Sequence, residues 1–482
     1  MTTQAIAGSG TSDERRILDP STGHPVTSLP DTGGQEAEHL LARADDAFRN
    51  GWGTASPTER SRRLHELAGL LRDRRTEFAT LERMNAGKPT ARAEGEVDFA
   101  AQVLDWFATV ARYPVGEVHP AAPGRRTYTD RVPVGVCVAI CPNNYPLLMA
   151  VWKVAAALAY GNTVVVKPAP ETPLSVRRLV ELAGDILPDG VLGAAYGGAR
   201  TGRRLCGDPR VGMVSFTGST AAGREVAKMC ADGVKRVALE LGGKSPIVVF
   251  ADADLDTAAQ AVVEGFTGNT GQMCVAATRL IVDETVHDAF VRKVAERTAA
   301  LAVGAPDDPG TDLGPLITRA AVERVEAVVE EAAKLGAAVW LPPGEKQVRP
   351  EPTSAIADGF FVNPVILDSA PSHSRAWREE IFGPVLSVAR FGTETQALAL
   401  AHDTPYGLSA SVWTSDAGRA ERFAQALRAG MVWVNTWGDT EESVSVGGMG
   451  QSGYGRELGL HAADGYTRTR AVWIAHPPAG KG

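Results

Sequence analysis

Apolar runs and amphipathic stretches alternate along the chain from Val132 onward. The sequence reads VPVGVCVAI, LLMAVWKVAAALAYG, NTVVVKPA and SVRRLVELAGDIL in that order. Unbroken apolar strands that alternate with amphipathic helices are typical of a parallel sheet that helices cover on both faces. Ligands bind such a sheet at the carboxyl ends of its strands. The pattern therefore predicts an α/β fold with a ligand site at one edge of this sheet.

The flanking segments carry different patterns. Residues 35–112 have helical periodicity and follow a short predicted strand and turn, ILDPSTGHPV. Residues 113–131 contain prolines and glycines that break a helix before the alternating RTYTDRV. Beyond residue 274, TRLIVDE and PVILD are predicted strands, and 286–303 and 319–335 are predicted helices, so a second α/β region follows. The final YTRTRAVWIA alternates like an edge strand, which needs a partner.

Length and charge narrow the function classes. A chain of 482 residues with 44% hydrophobic residues exceeds one ordinary core and predicts two or three domains. A net charge of -8 and a pI near 5.7 argue against a nucleic-acid partner, which clustered Lys and Arg would mark. The basic clusters 60–63 and 72–75 lie on a helical pattern with interleaved Glu, which indicates solvated helix faces.

Cysteine usage and the N-terminus bear on location. The five cysteines form an odd set without CxxC or Cys-His metal spacing, which predicts no metal site and fits a reduced cytoplasm. The N-terminus lacks the apolar core of a signal peptide, and no apolar run approaches the roughly 18 residues of a membrane span. We expect a cytoplasmic protein without a membrane partner, in which residues 1–16 form a disordered tail.

Candidate chemistry is concentrated in residues 239–274, LELGGKSPIVVFADADLDTAAQAVVEGFTGNTGQMC. Glu240 precedes two glycines and Cys274 follows Gly268 and Gly271, and glycines let a backbone approach a ligand closely. A thiolate that attacks a carbonyl and a carboxylate that activates water would together suit covalent catalysis. Taken alone, such a Cys is more often a small buried hydrophobe, and a lone Glu is more often a solvated surface group.

The stretch VSFTGSTAAGREV, residues 214–226, predicts a strand that opens into a helix. The N–H groups and dipole at a helix N-terminus bind anions, so Gly218, Ser219 and Gly223 are candidates for a pyrophosphate site. A nucleotide triphosphatase P-loop is excluded because Gly223 is followed by Arg-Glu, and because Ala238 stands where the upstream Gly of GKS would be required.

LELGGKSP followed by GQMC closely resembles the aldehyde dehydrogenase superfamily, and the resemblance runs from about Leu18 to His476. Members oxidise aldehydes to acids with a nicotinamide cofactor through a cysteine thioester. The resemblance implies that Cys274 is the nucleophile and that Glu240 activates water. It also implies that Asn144, in CPNNYP, holds the oxyanion together with the Cys274 backbone N–H. Asn143 stands where the family usually has Trp.

The resemblance also implies a cofactor site and leaves the choice of cofactor open. Lys167 matches the lysine that holds the adenosine ribose, Glu380 matches the residue that grips the nicotinamide ribose, and Phe382 matches the ring behind the nicotinamide. Leu241 is assigned to the same site. NAD-preferring members often have Glu three residues after the lysine, whereas this chain has Pro170 at that position. NAD is expected, and because that Glu is missing, NADP is possible as well.

The fold implied is aldehyde dehydrogenase-like, with two parallel-sheet α/β domains and a small β extension that pairs subunits into a dimer or tetramer. The predicted division is a dinucleotide-binding domain (17–112 and 132–241), a catalytic domain (242–440) and an oligomerisation extension (113–131 and 441–482). Gly450 replaces a lysine of the family pattern near the subunit contact, which weakens inference about that contact.

Aromatic residues suggest the substrate. Tyr145 follows the oxyanion Asn, Trp152 lies about two helical turns later, and Trp437 has acidic neighbours. Rings with carboxylates suit an ammonium group. The stretches YPLLMAVWK and VNTWG look like those of betaine-aldehyde and aminobutyraldehyde dehydrogenases, and Met273 and Val275 flank the nucleophile. An amino or trimethylammonium aldehyde is therefore predicted.

Three alternatives stay open. The rings can serve as ordinary core packing. Another small aliphatic, aromatic or semialdehyde substrate is the second reading, although the pocket stretches contain no Arg to pair the carboxylate of succinic semialdehyde. A catalytically silent binding or structural protein is the alternative from a different class, and the presence of both Cys274 and Glu240 counts against it.

Overall fold

The computed structural model describes residues 14–113, 116–341 and 355–475. The α-helices are α1 (Gly34–Asn50), α2 (Pro57–Asp73), α3 (Arg75–Ala86), α4 (Thr90–Val110), α5 (Pro146–Ala159), α6 (Leu174–Ala183), α7 (Ala199–Gly207), α8 (Thr220–Asp232), α9 (Leu255–Thr267), α10 (His287–Ala299), α11 (Arg319–Lys334), α12 (Arg375–Arg378), α13 (Glu394–His402), α14 (Ala417–Ala426) and α15 (Ala463–Tyr466). The strands are β1 (Glu14–Leu18), β2 (Pro25–Pro30), β3 (Glu117–His119), β4 (Arg125–Pro133), β5 (Val136–Ile140), β6 (Thr163–Lys167), β7 (Leu192–Ala194), β8 (Val211–Thr217), β9 (Arg236–Glu240), β10 (Pro246–Val249), β11 (Arg279–Asp283), β12 (Ala338–Trp340), β13 (Val365–Asp368), β14 (Val385–Phe391), β15 (Tyr406–Gly407), β16 (Ser409–Trp413), β17 (Met431–Val434), β18 (Met449–Gly450), β19 (Gly453–Tyr454) and β20 (Thr467–Ala475).

The first large sheet has the strand order β19-β9-β8-β5-β6-β7, and all strands but the antiparallel β19 run parallel. Every residue of β5 and β6 is buried, which explains their unbroken apolar runs. Ile140 pairs with Lys167 on one side and with Phe216 on the other, and Thr217 pairs with Glu240. The segments that follow β5, β6, β8 and β9 therefore emerge at one edge.

Helices α2, α4 and α5 pack together over one face of this sheet and bury a large apolar core that includes Leu64, Phe107 and Leu147. The second large sheet has the order β12-β13-β14-β11-β10-β16-β17, parallel except for β12. Residues 241–245 connect the two sheets directly, from the end of β9 to the start of β10. The α/β fold with two parallel sheets is confirmed.

A small antiparallel sheet, β20-β4-β3, contains only part of the segments assigned to the extension. The prediction that all of 441–482 joins it is wrong, because β18 pairs with β15 of the catalytic region and β19 pairs with β9. Gly450 and Gly453 have φ of 57° and 109°, left-handed values that let the chain turn between these two pairings. Residues 114–115 and 476–482 lie outside the described part of the chain.

The predicted tail ends too late. Residues 1–13 are not described, but Glu14–Leu18 is a strand that pairs with β2. Ile17 is 1% exposed and packs with Leu29 and Leu174, so apolar burial fixes the hairpin on the first domain. Across 14–113, 116–341 and 355–475, no helix is long and apolar enough to cross a membrane.

Candidate active site

Glu240 is the last residue of β9 and lies at the junction of the two large sheets. Its Oε1 is buried and has no hydrogen-bond partner among the described residues. Burial raises the pKa of Glu240 well above its ordinary value, and the nearby Glu457 carboxylate raises that pKa further. Lys153, Arg456 and a hydrogen bond with the backbone of Gly448 lower it in part. A carboxyl with a raised pKa and a free oxygen suits proton transfer.

Lys153 and Glu457 form a buried ion pair near Glu240 that was not predicted from the sequence. Lys153 Nζ donates to the Glu457 carboxylate and, at 2.7 Å, to Thr217 Oγ1. Ser215 Oγ donates to Glu457 Oε1 at 3.2 Å. Lys153 and Glu457 are 1% and 4% exposed. The available signal was a lysine within the otherwise apolar helix PLLMAVWKVAAALA, because a charge in such a helix requires a partner.

Cys274 follows a 3₁₀ turn at Gly268–Gly271 whose backbone is unusual. Asn269, Thr270 and Gly271 have φ of 48°, 54° and 71°, so three consecutive residues adopt left-handed backbone. Such conformations cost energy in non-glycine residues and are concentrated at functional sites. A Cβ at Gly271 would lie 2.2 Å from the Gly383 carbonyl carbon, so only glycine fits there.

Asn144 is held against this turn. Its Nδ2 donates to the Gln272 carbonyl at 2.7 Å, and Asn269 Nδ2 donates to the Asn144 carbonyl at 3.2 Å. Gln272 Oε1 in turn accepts a hydrogen bond from the Ile317 N–H at 3.0 Å. The Asn144 side chain thus contacts Gln272, which precedes Cys274 by two residues in the turn. Sequence reasoning missed Asn269 and Gln272, which fix this arrangement.

Cys274 is half-buried, whereas the other four cysteines are buried. Burial raises the pKa of the Cys274 thiol to about 12, with further contributions from the carboxyl groups of Glu380 and Glu240. In this arrangement the group is a thiol at neutral pH. A base must therefore accept its proton before it can act as a nucleophile, and Glu240 is one of the two carboxyl groups close enough to influence it.

The Glu380 carboxyl contacts Gly242 and Gly243, which lie just beyond the end of β9. The Gly243 N–H donates to Glu380 Oε1 at 3.3 Å, and a Cβ at Gly242 would lie 2.2 Å from Glu380 Oε2. Burial raises the pKa of Glu380 to about 7. Phe382, two residues later, has a φ of 58°, which is rare for an aromatic residue and sets the direction of its side chain.

The predicted phosphate-binding residues lie between β8 and α8. The Ser219 hydroxyl accepts the Ala222 N–H at 3.3 Å as the helix cap, and the Gly218 N–H donates to the Glu240 carbonyl at 3.1 Å. A Cβ at Gly223 would lie 2.5 Å from the Leu241 side chain, so these two residues pack together. Lys167 is 5% exposed at the end of β6, and its Nζ donates to the Pro168 carbonyl at 3.2 Å. Burial lowers the pKa of Lys167.

The candidate substrate residues belong to two packed groups. Tyr145 and Trp152 pack against the first-domain core, where Trp152 meets Phe99 edge-on at 6.3 Å between ring centroids. Trp437 packs against the second-domain core, 6.0 Å from the Trp433 ring. The indole N–H groups of Trp152 and Trp437 are buried without a hydrogen-bond partner among the described residues.

Tyr145 already faces a cation of the protein itself. The Lys88 ammonium lies 4.5 Å from the centre of the Tyr145 ring. Lys88 pairs with Glu82 at 3.0 Å and with Glu96, whose pKa burial raises to about 7. Met273 and Val275 are half-buried on either side of Cys274, and the Met273 Cε lies 2.7 Å from where a Cβ of Gly268 would be. Phe99 and Lys88 were not identified from sequence.

The three acidic residues near Trp437 are Asp439, Glu441 and Glu442, and they differ in exposure and in hydrogen bonding. Asp439 Oδ2 accepts a hydrogen bond from Thr436 Oγ1 at 2.6 Å, and the Asp439 carbonyl accepts one from Trp433 Nε1 at 3.0 Å. Asp439 and Glu441 are exposed and Glu442 is half-buried. Within the described ranges, no group of His, Cys, Asp and Glu side chains has the arrangement of a metal site.

Comparisons with known proteins identify the family of this chain. The profile described as "Aldehyde dehydrogenase family" matches residues 7–472. The chain is 38% identical over 470 residues to 4-trimethylaminobutyraldehyde dehydrogenase of Oryzias latipes, covering 97% of this chain and 92% of that protein. A second relative, 4-trimethylaminobutyraldehyde dehydrogenase A of Danio rerio, is 37% identical and the match covers 96% of this chain and 91% of that protein.

Among solved structures, betaine aldehyde dehydrogenase of Staphylococcus aureus in complex with NAD+ superposes with a TM-score of 0.92. It is 32% identical, and the match covers 97% of this chain and 92% of that chain. The family model, the relatives and the solved structure agree on the family and the fold. The chain belongs to the aldehyde dehydrogenase family and is an oxidoreductase that acts on aldehydes.

Proposed function

We propose that this chain oxidises an amino or trimethylammonium aldehyde to the corresponding acid, with NAD as acceptor and Cys274 as nucleophile. The observation that carries the proposal is the junction itself, where Asn144, Glu240 and Cys274 arrive from different elements of two domains. Asn144 reaches the catalytic turn through the bond from its Nδ2 to the Gln272 carbonyl at 2.7 Å. A positioned nucleophile, base and amide donor are the parts that acyl chemistry needs.

The proposed steps start from the Cys274 thiol and from Glu240 in its ionised form. Glu240 accepts the thiol proton, and Cys274 Sγ attacks the aldehyde carbon to form a thiohemiacetal. The second N–H of the Asn144 side chain and the Cys274 backbone N–H donate to the oxyanion. Loss of hydride from the substrate carbon to a bound dinucleotide would turn the thiohemiacetal into a thioester. Once Glu240 has released the thiol proton to solvent, it takes a proton from water, which attacks the thioester carbon. The C–S bond then breaks, the acid is released and Cys274 Sγ regains a proton. The Lys153–Glu457 pair supports the base role by setting the charge beside Glu240.

The residues at the strand edge fit a nicotinamide dinucleotide, which when bound would accept the hydride lost from the substrate carbon. Helix α8 offers its N-terminus, and the bare α-carbon of Gly242 leaves room for the Glu380 carboxyl beside it. Lys167, whose Nζ donates to the Pro168 carbonyl and keeps further donors, suits a ribose hydroxyl. Glu380, whose carboxyl sits over Gly242, suits the other ribose, and Phe382 suits the nicotinamide face.

The Gly218 and Ser219 contacts refine that site. Because the Gly218 N–H and the Ser219 hydroxyl are engaged within the protein, the open N–H groups of the first turn of α8 are better donors to a pyrophosphate than those two groups. Gly223 and Leu241 then act as packing partners that bring the start of α8 close to the catalytic loop.

A cationic substrate is supported by the relatives and by the rings. The relatives named above act, by their names, on 4-trimethylaminobutyraldehyde and betaine aldehyde. In this chain the Lys88 ammonium lies 4.5 Å from the centre of the Tyr145 ring, so Trp152 and Trp437 are the rings without such a protein cation described above. A ring over a cation contributes about 0.5–2 kcal/mol, so Trp152 and Trp437 would together favour cationic aldehydes by about an order of magnitude or more, with Tyr145 sharing its ring with Lys88.

We further propose that the chain is a cytoplasmic homo-oligomer, a dimer or tetramer that pairs through the sheet of β3, β4 and β20. Its two outer strands carry exposed apolar side chains, with Val118 74% and Trp473 70% exposed. Exposed apolar strands at a sheet edge favour pairing with another chain. The protein's mass in solution measures this directly.

The deciding experiment is a substrate panel. We expect kcat/KM for 4-aminobutyraldehyde and betaine aldehyde to exceed that for butyraldehyde and succinic semialdehyde, measured by formation of reduced cofactor. Cys274→Ser supplies the matched blank for aldehyde-independent reduction. If the neutral aldehyde is turned over faster, the substrate assignment fails while the family chemistry stands.

A further inference from the structure

A small cavity lies where the segment after β9 meets the loop between α13 and β16. Its lining comes from three stretches of the chain, within 244–246, 401–410 and 427–429. The cavity volume is about 20 Å³. One water-sized particle needs on the order of 10–15 Å³ of such space, so the cavity suits a single water molecule or a monatomic ion. A polyatomic anion such as phosphate is too large for it.

Lys244 brings a buried amine to this cavity. The residue is 1% exposed, and its Nζ has no hydrogen-bond partner among the described residues. Burial, together with the nearby Arg279 guanidinium, lowers the pKa of Lys244 to about 7. A buried donor without a partner costs free energy, so an acceptor that enters the cavity is stabilised by this amine.

Arg279 adds a second buried cation beside the first. Its Nε donates to the Lys244 carbonyl at 2.8 Å. Its Nη1 and Nη2 donate to the carbonyls of Leu400 and Ala401, each at 2.8 Å, so these three acceptors are neutral. In the described part of the chain, neither cation has a carboxylate at hydrogen-bond distance. Buried charges are normally paired, so this pair of cations favours an anion.

The acidic residues that act on these two cations from farther away are bound to other donors. Asp403, which acts on Arg279, pairs with Arg378 at 2.6 Å. Glu380, the first of the two carboxylates that act on Lys244, accepts a backbone N–H at 3.3 Å. Among the described residues that line the cavity, none is acidic. The cavity is therefore a positive environment.

Hydroxyl groups and one exposed cation complete the lining. Ser409 Oγ donates to Ser245 Oγ at 2.8 Å, which leaves the Ser245 hydroxyl proton as a donor. Thr404 Oγ1 accepts the Tyr406 N–H at 3.3 Å and likewise keeps its proton. Arg428 lines the cavity and is exposed, so a positive charge stands where the cavity meets solvent. The lining thus offers donors to an anion and a charge that attracts it.

We infer that this cavity binds a monatomic anion, a halide such as chloride, between the Lys244 ammonium and the hydroxyl groups of Ser245 and Thr404. Charge and size select this ligand, because the donors face a space with room for one small ion. Hydrogen bonds to an ionised partner are the stronger class, and Lys244 supplies one from a fully buried position. The inference is independent of the proposed substrate and cofactor, since these three residues are assigned to neither.

The test uses the intact protein and chloride itself. The width of the chloride NMR signal is measured as chloride replaces gluconate at constant ionic strength, for the wild type, Lys244→Met, Thr404→Val and Lys334→Met. Lys334 is the matched control, because it is an exposed lysine that pairs with Glu330 on α11. Crystals of the wild type grown with bromide locate the ion by its anomalous scattering.

We expect saturable broadening of the chloride signal in the wild type and in Lys334→Met. Thr404→Val should bind chloride about tenfold more weakly, as loss of one hydrogen bond to a charged group predicts, and Lys244→Met should lose the saturable component. Bromide should lie within hydrogen-bond distance of Lys244 Nζ. A wild type without saturable broadening overturns the inference, as does broadening that is unchanged in Lys244→Met. If Lys244→Met does not fold, the crystals decide, and a cavity without bromide beside Lys244 overturns the inference.

Discussion

Gly243 lies against the backbone carbonyl of Cys274, so that a Cβ at position 243 would stand 2.4 Å from that oxygen. The backbone of the connection between the two sheets therefore contacts the backbone of the turn that carries Cys274. This contact ties the position of Cys274 to the end of β9, where Glu240 lies. Gly243, a residue without a functional group, thereby fixes the proposed nucleophile relative to the proposed base.

The first prediction concerns this contact. Gly243→Ala should displace the Cys274 turn and lower kcat by roughly a hundredfold or more, because misplacing a reacting group by about 1 Å carries that cost. Steady-state kinetics measure it. Gly69→Ala is the control, since nothing lies within 4 Å of a Cβ at that helical position and the change should stabilise α2 by up to about 1 kcal/mol. Full activity in Gly243→Ala would mean that the turn is not fixed by this contact.

The second prediction concerns the nucleophile. Cys274→Ala should abolish aldehyde oxidation while leaving the dissociation constant for NAD within about twofold, because the thiol forms the covalent bond and the proposed dinucleotide contacts lie on other residues. Cys230→Ala, a buried cysteine on α8, serves as the comparison and should retain turnover. Oxidation that persists in Cys274→Ala contradicts the thioester route.

The third prediction concerns the base in hydrolysis. Glu240→Gln should release product about 10²–10⁴-fold more slowly, the usual contribution of a general base. If a second group deprotonates the thiol, rapid mixing should show a burst of reduced cofactor followed by the slow steady rate. If Glu240 also takes the thiol proton, the burst itself should slow. A normal burst together with a normal steady rate assigns both steps to another residue.

The fourth prediction concerns pH. Glu240 acts as a base only above its own pKa, and the Glu457 carboxylate raises that pKa whereas Lys153 lowers it. Glu457→Gln removes the carboxylate and leaves the Lys153 charge uncompensated, so the acid limb of the kcat profile should move to lower pH. Lys153→Met should move it to higher pH. If the acid limb moved in the same direction and by the same amount in both variants, the ion pair would affect Glu240 only by holding its position and not by its charges.

Stability supplies the control for that comparison. Breaking a buried ion pair from one side costs about 3–5 kcal/mol, whereas replacing both partners by apolar groups costs much less. Both single variants should therefore unfold at lower denaturant concentration than Lys153→Met/Glu457→Leu. If the two single variants lose similar stability but shift the acid limb of the kcat profile in opposite directions, the charges of the pair control the pKa of Glu240.

The fifth prediction concerns the substrate. Trp437→Ala should lower kcat/KM for betaine aldehyde about tenfold more than for butyraldehyde, because a ring over a cation contributes about 0.5–2 kcal/mol and the neutral substrate lacks that term. Trp413→Ala removes a buried tryptophan of the same core and controls for packing. If Trp437→Ala lowers kcat/KM equally for both aldehydes, the Trp437 ring contributes only to packing.

The sequence by itself determined the fold class and most of the candidate chemistry. Unbroken apolar runs such as β5 and β6 occur where both faces of a strand are covered, so local pattern reported the parallel sheet. Glu240 and Cys274 could be singled out because glycines stand beside each of them, and Asn144 because the segment CPNNYP resembles the corresponding segment of the aldehyde dehydrogenase superfamily. Local motifs survive folding as local structure, which is why these residues were accessible from the chain alone.

Only the tertiary structure decided how the distant segments meet. Residues 449–454 return to both large domains and do not join β20, because pairing partners such as β9 and β15 lie far away in the sequence. The Lys153–Glu457 pair joins residues 304 positions apart, and the cavity beside Lys244 is lined by Thr404 and Arg428 from a distant part of the chain. Burial, pairing and charge at these places depend on which segments become neighbours, and a one-dimensional pattern carries no record of those neighbours.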